Sequence, residues 1–154
     1  IDAAAATSVV FSGIADKYSM LYVFINEFFS TATGTELQLQ LNGNATAVYD
    51  SVRTETDATP AVAGSPGVTA MPILQTNATS AASWGTTGFG RIDIMNPVGT
   101  QPILVNFSGA NSLHTYQGSG RCNLTVPVSS ITLFTATTIS GKFSLFGALR
   151  ATSV

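Results

Sequence analysis

The feature that most constrains this chain is a two-residue rhythm that recurs along it. In 35–42, Leu37, Leu39 and Leu41 alternate with Gln38, Gln40 and Asn42. Successive side chains of an extended strand point to opposite faces, so this pattern belongs to a strand with one buried and one solvated face. Ile103, Val105 and Phe107 share one face of 101–108, and Ile92 and Ile94 alternate with Arg91 and Asp93 in 90–95. Ile131 and Leu133 alternate with Thr132 and Phe134 in 130–136, and Phe143, Leu145 and Leu149 share one parity in 141–149. Segments 7–12, 46–54 and 122–126 read as further strands. No segment carries a sustained helical stripe.

Turn residues punctuate these runs. Asn42-Gly43-Asn44 and Asn96-Pro97 each end a strand, Ser65-Pro66-Gly67 reads as loop, and Ser140-Gly141 opens the last strand. Many short strands with polar turns predict an all-β fold, an antiparallel β-sandwich, jelly-roll-like, of about 8–10 strands in a single domain. The stretch 56–83, rich in Ala, Thr, Ser, Pro and Gly, is expected to be an irregular surface excursion with a strand near 68–74.

One segment departs from the half-wet pattern. Tyr22, Phe24 and Phe28 read as one face of 19–29, and Leu21, Val23, Ile25 and Phe29 as the other, so both faces are apolar. A strand of that kind is covered on both sides. The candidate subunit interface is therefore Tyr22, Val23, Phe24, Ile25 and Phe28. Composition points the same way. Only 9% of the 154 residues are charged and the net charge is −2, against roughly 25% charged residues in ordinary soluble domains. Such a surface suits a subunit whose neighbours occupy it. The six basic residues are scattered, which argues against a nucleic-acid partner. No run approaches the roughly 20 apolar residues of a membrane-spanning helix. The chain opens on Ile1, not Met, and is expected to be a processed product or a fragment.

Catalytic chemistry finds little to work with. The single histidine, His114, and the single cysteine, Cys122, stand in no recognisable signature, and Gly118-Ser119-Gly120 does not match a nucleophile elbow. One His and one Cys are too few for a transition-metal site. Asp50, Glu55 and Asp57 lack calcium-loop spacing and read as solvated charges. The glycine-rich 85–90 lacks a phosphate-loop lysine. No cofactor, no metal and no enzymatic activity are expected. The Asn-x-Ser/Thr triplets at Asn44, Asn77, Asn106 and Asn123 read as chance matches in a chain rich in these residues. Trp84, Tyr49 and Tyr116 are weak candidate ligand contacts, since an aromatic face with polar neighbours suits carbohydrate.

Several motifs, in order, carry a resemblance. Phe11-Ser12-Gly13-Ile14-Ala15-Asp16-Lys17-Tyr18 resembles the F-x-G-I-P-x-x-Y opening of many phage tail-fibre and minor virion proteins, with Ala15 in place of proline. Leu37-Gln38-Leu39-Gln40-Leu41-Asn42-Gly43 is similar to their L-x-L-x-F-N-G strand and turn. Gly90-Arg91-Ile92-Asp93-Ile94-Met95-Asn96-Pro97 is similar to their G-x-I-x-I-x-N-P strand. The closing Val128-Ser129-Ser130-Ile131-Thr132-Leu133 and Gly141-Lys142-Phe143-Ser144-Leu145-Phe146-Gly147-Ala148-Leu149 resemble their terminal strands, with Phe146 where tyrosine is usual. The resemblance implies a jelly-roll-like sandwich, commonly a homotrimer, on a bacteriophage virion. There it would be a capsid decoration protein or a tail-appendage subunit, extracellular when released. Its partners would be other virion proteins, with a host surface glycan or receptor as a further one. The alternative is a secreted or surface carbohydrate-binding β-sandwich module.

Overall fold

A computed structural model of the chain describes residues 1–30, 35–56, 61–75, 88–99, 102–110 and 115–150. Ten strands occupy most of them: β1 Asp2–Ser12, β2 Tyr18–Ser30, β3 Glu36–Leu41, β4 Tyr49–Thr56, β5 Ala61–Val68, β6 Met71–Gln75, β7 Gly88–Met95, β8 Ile103–Ala110, β9 Thr115–Cys122 and β10 Ser130–Leu149. Every described pairing is antiparallel. The all-β antiparallel fold read from the alternation is the fold of the protein. Hydrogen bonds link the strands into one sheet in the order β5-β4-β9-β8-β7-β2-β10-β3-β6, with β1 beside β10. That sheet is nearly closed into a barrel; the hydrogen bonding does not divide it into the two stacked sheets of a jelly roll.

The last strand produces much of the curl. A straight strand of 20 residues would span roughly 66 Å. Yet Ile14 N donates to Ser129 O at 3.1 Å and Arg150 N to Lys17 O at 2.9 Å. Residues 14 and 17 lie at most roughly 11 Å apart along the chain. The two ends of β10 are therefore neighbours, and the strand wraps around the core. A bulge makes its bend. The β2–β10 register shifts between Ser140 and Lys142, where Gly141 has φ 146. A Cβ at Gly141 would lie 3.0 Å from Glu27 O, so the close approach itself calls for glycine. The expected turn at Ser140-Gly141 is this bulge inside one strand.

The same irregularity corrects the reading of β2. Glu27 has φ 55, and the β2–β7 register shifts between Ile25 and Phe28. The extra residue reverses the parity beyond it. Leu21, Val23, Ile25 and Phe28 all point into the core at 5% exposure or less, whereas Phe24 and Phe29 point outward. Strict alternation had placed Phe28 with Phe24, because a bulge leaves no mark in a two-residue period.

Other differences have equally local causes. The stretch 56–83 contains β5 and β6, the latter overlapping the expected 68–74; residues 57–60 and 76–83 lie outside the description. The small residues of β5, an edge strand, give no apolar rhythm, and an edge tolerates Pro66 where a central strand would not. The strand expected at 122–126 ends instead at Cys122 and runs back to Thr115. Its inner face there carries Gly118 and Gly120, which hide the alternation.

The core is a single cluster. Leu37, Leu39 and Leu41 of β3, Ile92 and Ile94 of β7, Ile103 and Val105 of β8, and Ile131, Leu133 and Phe143 of β10 are all fully buried. Each belongs to a period-two set recognised from the sequence. Two side-chain bridges hold β4 to β3 across the seam where the curled sheet approaches itself. Tyr49 Oη accepts from Leu41 N at 2.8 Å and donates to Asn44 O at 3.0 Å. Arg53 pairs with Glu36 at 3.0 Å.

The Tyr49 bridge gives the fold a pH dependence. Burial pushes the Tyr49 phenol up to about 12, against an opposing effect of the Leu41 hydrogen bond. The unfolded phenol ionises near about 10. Stability from this group is intact below pH ~10 and falls as pH rises toward ~12, because the unfolded chain releases its proton first. The loss amounts to roughly 2 kcal/mol. Burial also pushes the Cys122 thiol up, which adds a loss of the same sign. Urea midpoints should therefore drop between about pH 9 and about pH 11.5, and Tyr49→Phe should flatten that drop while lowering stability at neutral pH by about 1–3 kcal/mol. An unchanged slope in Tyr49→Phe would mean that this phenol is not the titrating group.

Candidate binding surface

The pairing of β4, β9, β8 and β7 sets outward side chains in rows. Asp93, Asn106, Ser119 and Val52 are successive cross-strand partners. Arg91, Ser108, Gln117 and Thr54 form the next row. Strands lie about 4.8 Å apart, so each row presents a side chain at about that interval. On either side the rows turn apolar at their β7 and β8 positions. Met95 and Leu104 pair beyond Asp93 and Asn106, and Phe89 and Ala110 beyond Arg91 and Ser108. The polar block exists because these strands alternate: Ile92, Ile94, Val105 and Phe107 take the inner positions and leave the intervening ones to water. A groove of about 470 Å³ lies over the two polar rows.

β2 and β10 continue this face with aromatic side chains. Tyr22 pairs with Asp93 and Phe24 with Arg91 on one side, and Phe146 with Tyr22 on the other. Phe24 and Phe146 meet edge to face, with ring centroids 5.6 Å apart and planes at 81°. Such a pair contributes about 0.5–1.5 kcal/mol beyond its buried area, yet 58% of Phe146 remains exposed. Phe89, 56% exposed, lines the same depression as Phe24.

Arg91 joins the polar and aromatic parts. Its Nε donates to Asp93 Oδ1 at 2.6 Å, and its guanidinium lies 5.1 Å from the Tyr22 ring centre and 5.6 Å from that of Phe24. The hydrogen bond that it donates to Asp93 is the main cause that raises the Arg91 pKa. A second ion pair, Arg121 with Asp50 at 2.7 Å, lies at the far edge of the face. Arg121 and the Gly67 backbone together hold the Asp50 carboxyl below the usual carboxylate range. Each cation on the face is thus matched by an anion.

The structure separates the residues singled out from the sequence. Tyr22 and Phe24 lie on the outer face and are available to a partner. Val23, Ile25 and Phe28 belong to the core of this chain and cannot touch another subunit. Tyr49 and Tyr116 also need correcting. Both rings are buried, at 0% and 3% exposure, so neither can serve as a platform for a sugar. Trp84, His114 and Asp57 lie outside the described residues. Cys122 is buried, and its raised pKa is the opposite of what a thiolate nucleophile requires. Among the described residues no three His, Cys, Asp or Glu side chains converge as a metal site would need.

Phe146, Arg91, Asn106 and Gln117 are the residues the sequence reading passed over as surface. Phe146 carries a visible signal, because it is apolar at the parity opposite to Phe143 and Leu145. Arg91, Asn106 and Gln117 carry none, since any solvated strand face looks the same until the register aligns it with its neighbours. No protein-family model, curated protein or solved structure matches this chain.

Proposed function

We propose that the chain is a non-enzymatic structural subunit of a tailed-bacteriophage virion, a decoration protein of the capsid or part of a tail appendage. It acts by subunit–subunit contact through the outer face of β2 and β10. The observation that carries this reading is the group Phe24, Phe146 and Phe89, left open to solvent on one rigid sheet face. Exposed aromatic clusters of this kind mark contact surfaces, and aromatic residues are enriched at the centres of interfaces. A 9% charged composition supports it, because little charge keeps copies apart. The ordered strand-and-turn motifs from Phe11 to Leu149 support the virion setting. The partner on this face is a second copy of the chain, in a homotrimer.

Light scattering on the purified protein tests the contact. The wild type should have the mass of a trimer. Phe146→Asp should reduce it to a monomer with an unchanged far-ultraviolet spectrum, since a side chain this exposed contributes little to the monomer's own core. A wild type that stays monomeric up to high concentration, or a Phe146→Asp variant that stays trimeric, removes this face as the contact. Labelled antibody on intact particles then separates shell from tail.

A further inference from the structure

We propose that the outer face of β7, β8, β9 and β4 is a binding site for a neutral oligosaccharide chain. This face adjoins the aromatic contact, with Phe24 and Phe89 on their common border, and the inference does not rest on the trimer. Four kinds of observation support it.

The first is chemical. The two central rows offer the amides of Asn106 and Gln117 and the hydroxyls of Ser108, Ser119 and Thr54, all on exposed strand positions. An amide presents a donor and an acceptor side by side, the complement of a pair of neighbouring hydroxyls on a sugar ring. The second is electrostatic. Arg91 with Asp93 and Arg121 with Asp50 are internally neutralised at 2.6 and 2.7 Å. Among the described residues the face therefore has no surplus charge with which to hold a phosphate, a sulfate or a metal ion.

The third is the apolar frame. Phe24 and Phe89 border the groove at one end, and Leu104 and Val52, each close to half exposed, at the other. Sugar rings are amphipathic, with C–H faces that pack on such surfaces and hydroxyl edges that need polar partners. The fourth is shape and rigidity. Three open depressions adjoin one another across four paired strands and share lining residues, which fits an extended chain better than a single enclosed molecule. A backbone already fixed in paired strands needs no further ordering on binding, which favours affinity.

The test uses three neutral hexasaccharides, maltohexaose, cellohexaose and mannohexaose, titrated into isotopically labelled protein. Nuclear magnetic resonance follows the side-chain amide signals of Asn106 and Gln117. At least one sugar should shift both signals saturably. Asn106→Ala combined with Gln117→Ala should weaken its binding at least about tenfold. The backbone spectrum away from β8 and β9 should remain as in the wild type, because both side chains are exposed. Three results would overturn the proposal. One is no saturable shift with any of the three sugars. Another is tighter binding of a sulfated hexasaccharide than of all three. The last is a shift of the same signals with protein concentration alone, which would assign the face to a second copy of the chain.

Discussion

Gly118→Val should destabilise the fold by about 3 kcal/mol, while Ser119→Val beside it should change stability by less than about 0.5 kcal/mol. The two positions point to opposite faces of β9. A Cβ at Gly118 would lie 2.3 Å from Phe107 Cζ and 2.5 Å from the Val52 carbonyl oxygen. The phenyl ring is only 3% exposed and has little room to turn away. The carbonyl is worse, because it belongs to the β4–β9 ladder and cannot move without breaking it. Arg53 is the β4 partner of Gly118, so a displaced Phe107 would also disturb the bridge to β3. Ser119 points outward into the groove, where a valine costs only a few exposed polar atoms. Urea unfolding of both variants measures the difference, with an unchanged denaturant slope showing that stability alone has moved. Equal shifts in the two would mean that the faces of β9 are not assigned as described.

This pair also shows how far the sequence can be read. The period-two signal is strong where large apolar residues alternate with polar ones. Leu37-Gln38-Leu39-Gln40-Leu41 therefore announced both a strand and its buried face, and all three leucines are fully buried. In Tyr116-Gln117-Gly118-Ser119-Gly120 the inner positions are partly glycine, because bulk is supplied from elsewhere. Phe107 fills the space over Gly118, and Met71 from β6 fills that over Gly120. A strand whose core-facing residues are furnished by its neighbours has no hydrophobic rhythm of its own. The candidate surface was less legible still. Asp93, Asn106 and Ser119 are far apart in the chain and become one row only through the β7–β8–β9 register. Register is set by tertiary pairing, and no local pattern encodes it. Composition could say that the surface is poor in charge, but not that its remaining charges cancel in pairs on one face.

The seam between β3 and β4 should respond asymmetrically to loss of its two charges. Glu36→Ala should cost about 2–3 kcal/mol, whereas Arg53→Met should come out near neutral. The reason lies in where each group sits. The Arg53 side chain is 9% exposed and that of Glu36 is 35% exposed. Arg53 Nη2 donates to Glu36 Oε1 at 3.0 Å, and its guanidinium lies 5.9 Å from the Tyr116 ring centre. Its Nη1 has no hydrogen-bond partner among the described residues. The cation is thus imperfectly satisfied even with its carboxylate in place. Removing Glu36 strands a buried positive charge, and the remaining contact with the Tyr116 ring compensates only part of that. Removing Arg53 instead leaves a carboxylate that water can reach. Methionine there keeps much of the apolar stem that packs along the seam, and it eliminates the unsatisfied nitrogen. The cost of Glu36→Ala is kept at the lower end for a buried pair because this carboxylate is partly hydrated. Urea midpoints of the two single variants and the double variant decide the matter. The double variant should recover most of the stability lost in Glu36→Ala, since no charge is then left buried. If Arg53→Met is the more damaging of the two, the guanidinium is a net stabilising clasp of the barrel seam. Its retention would then need no explanation beyond the fold.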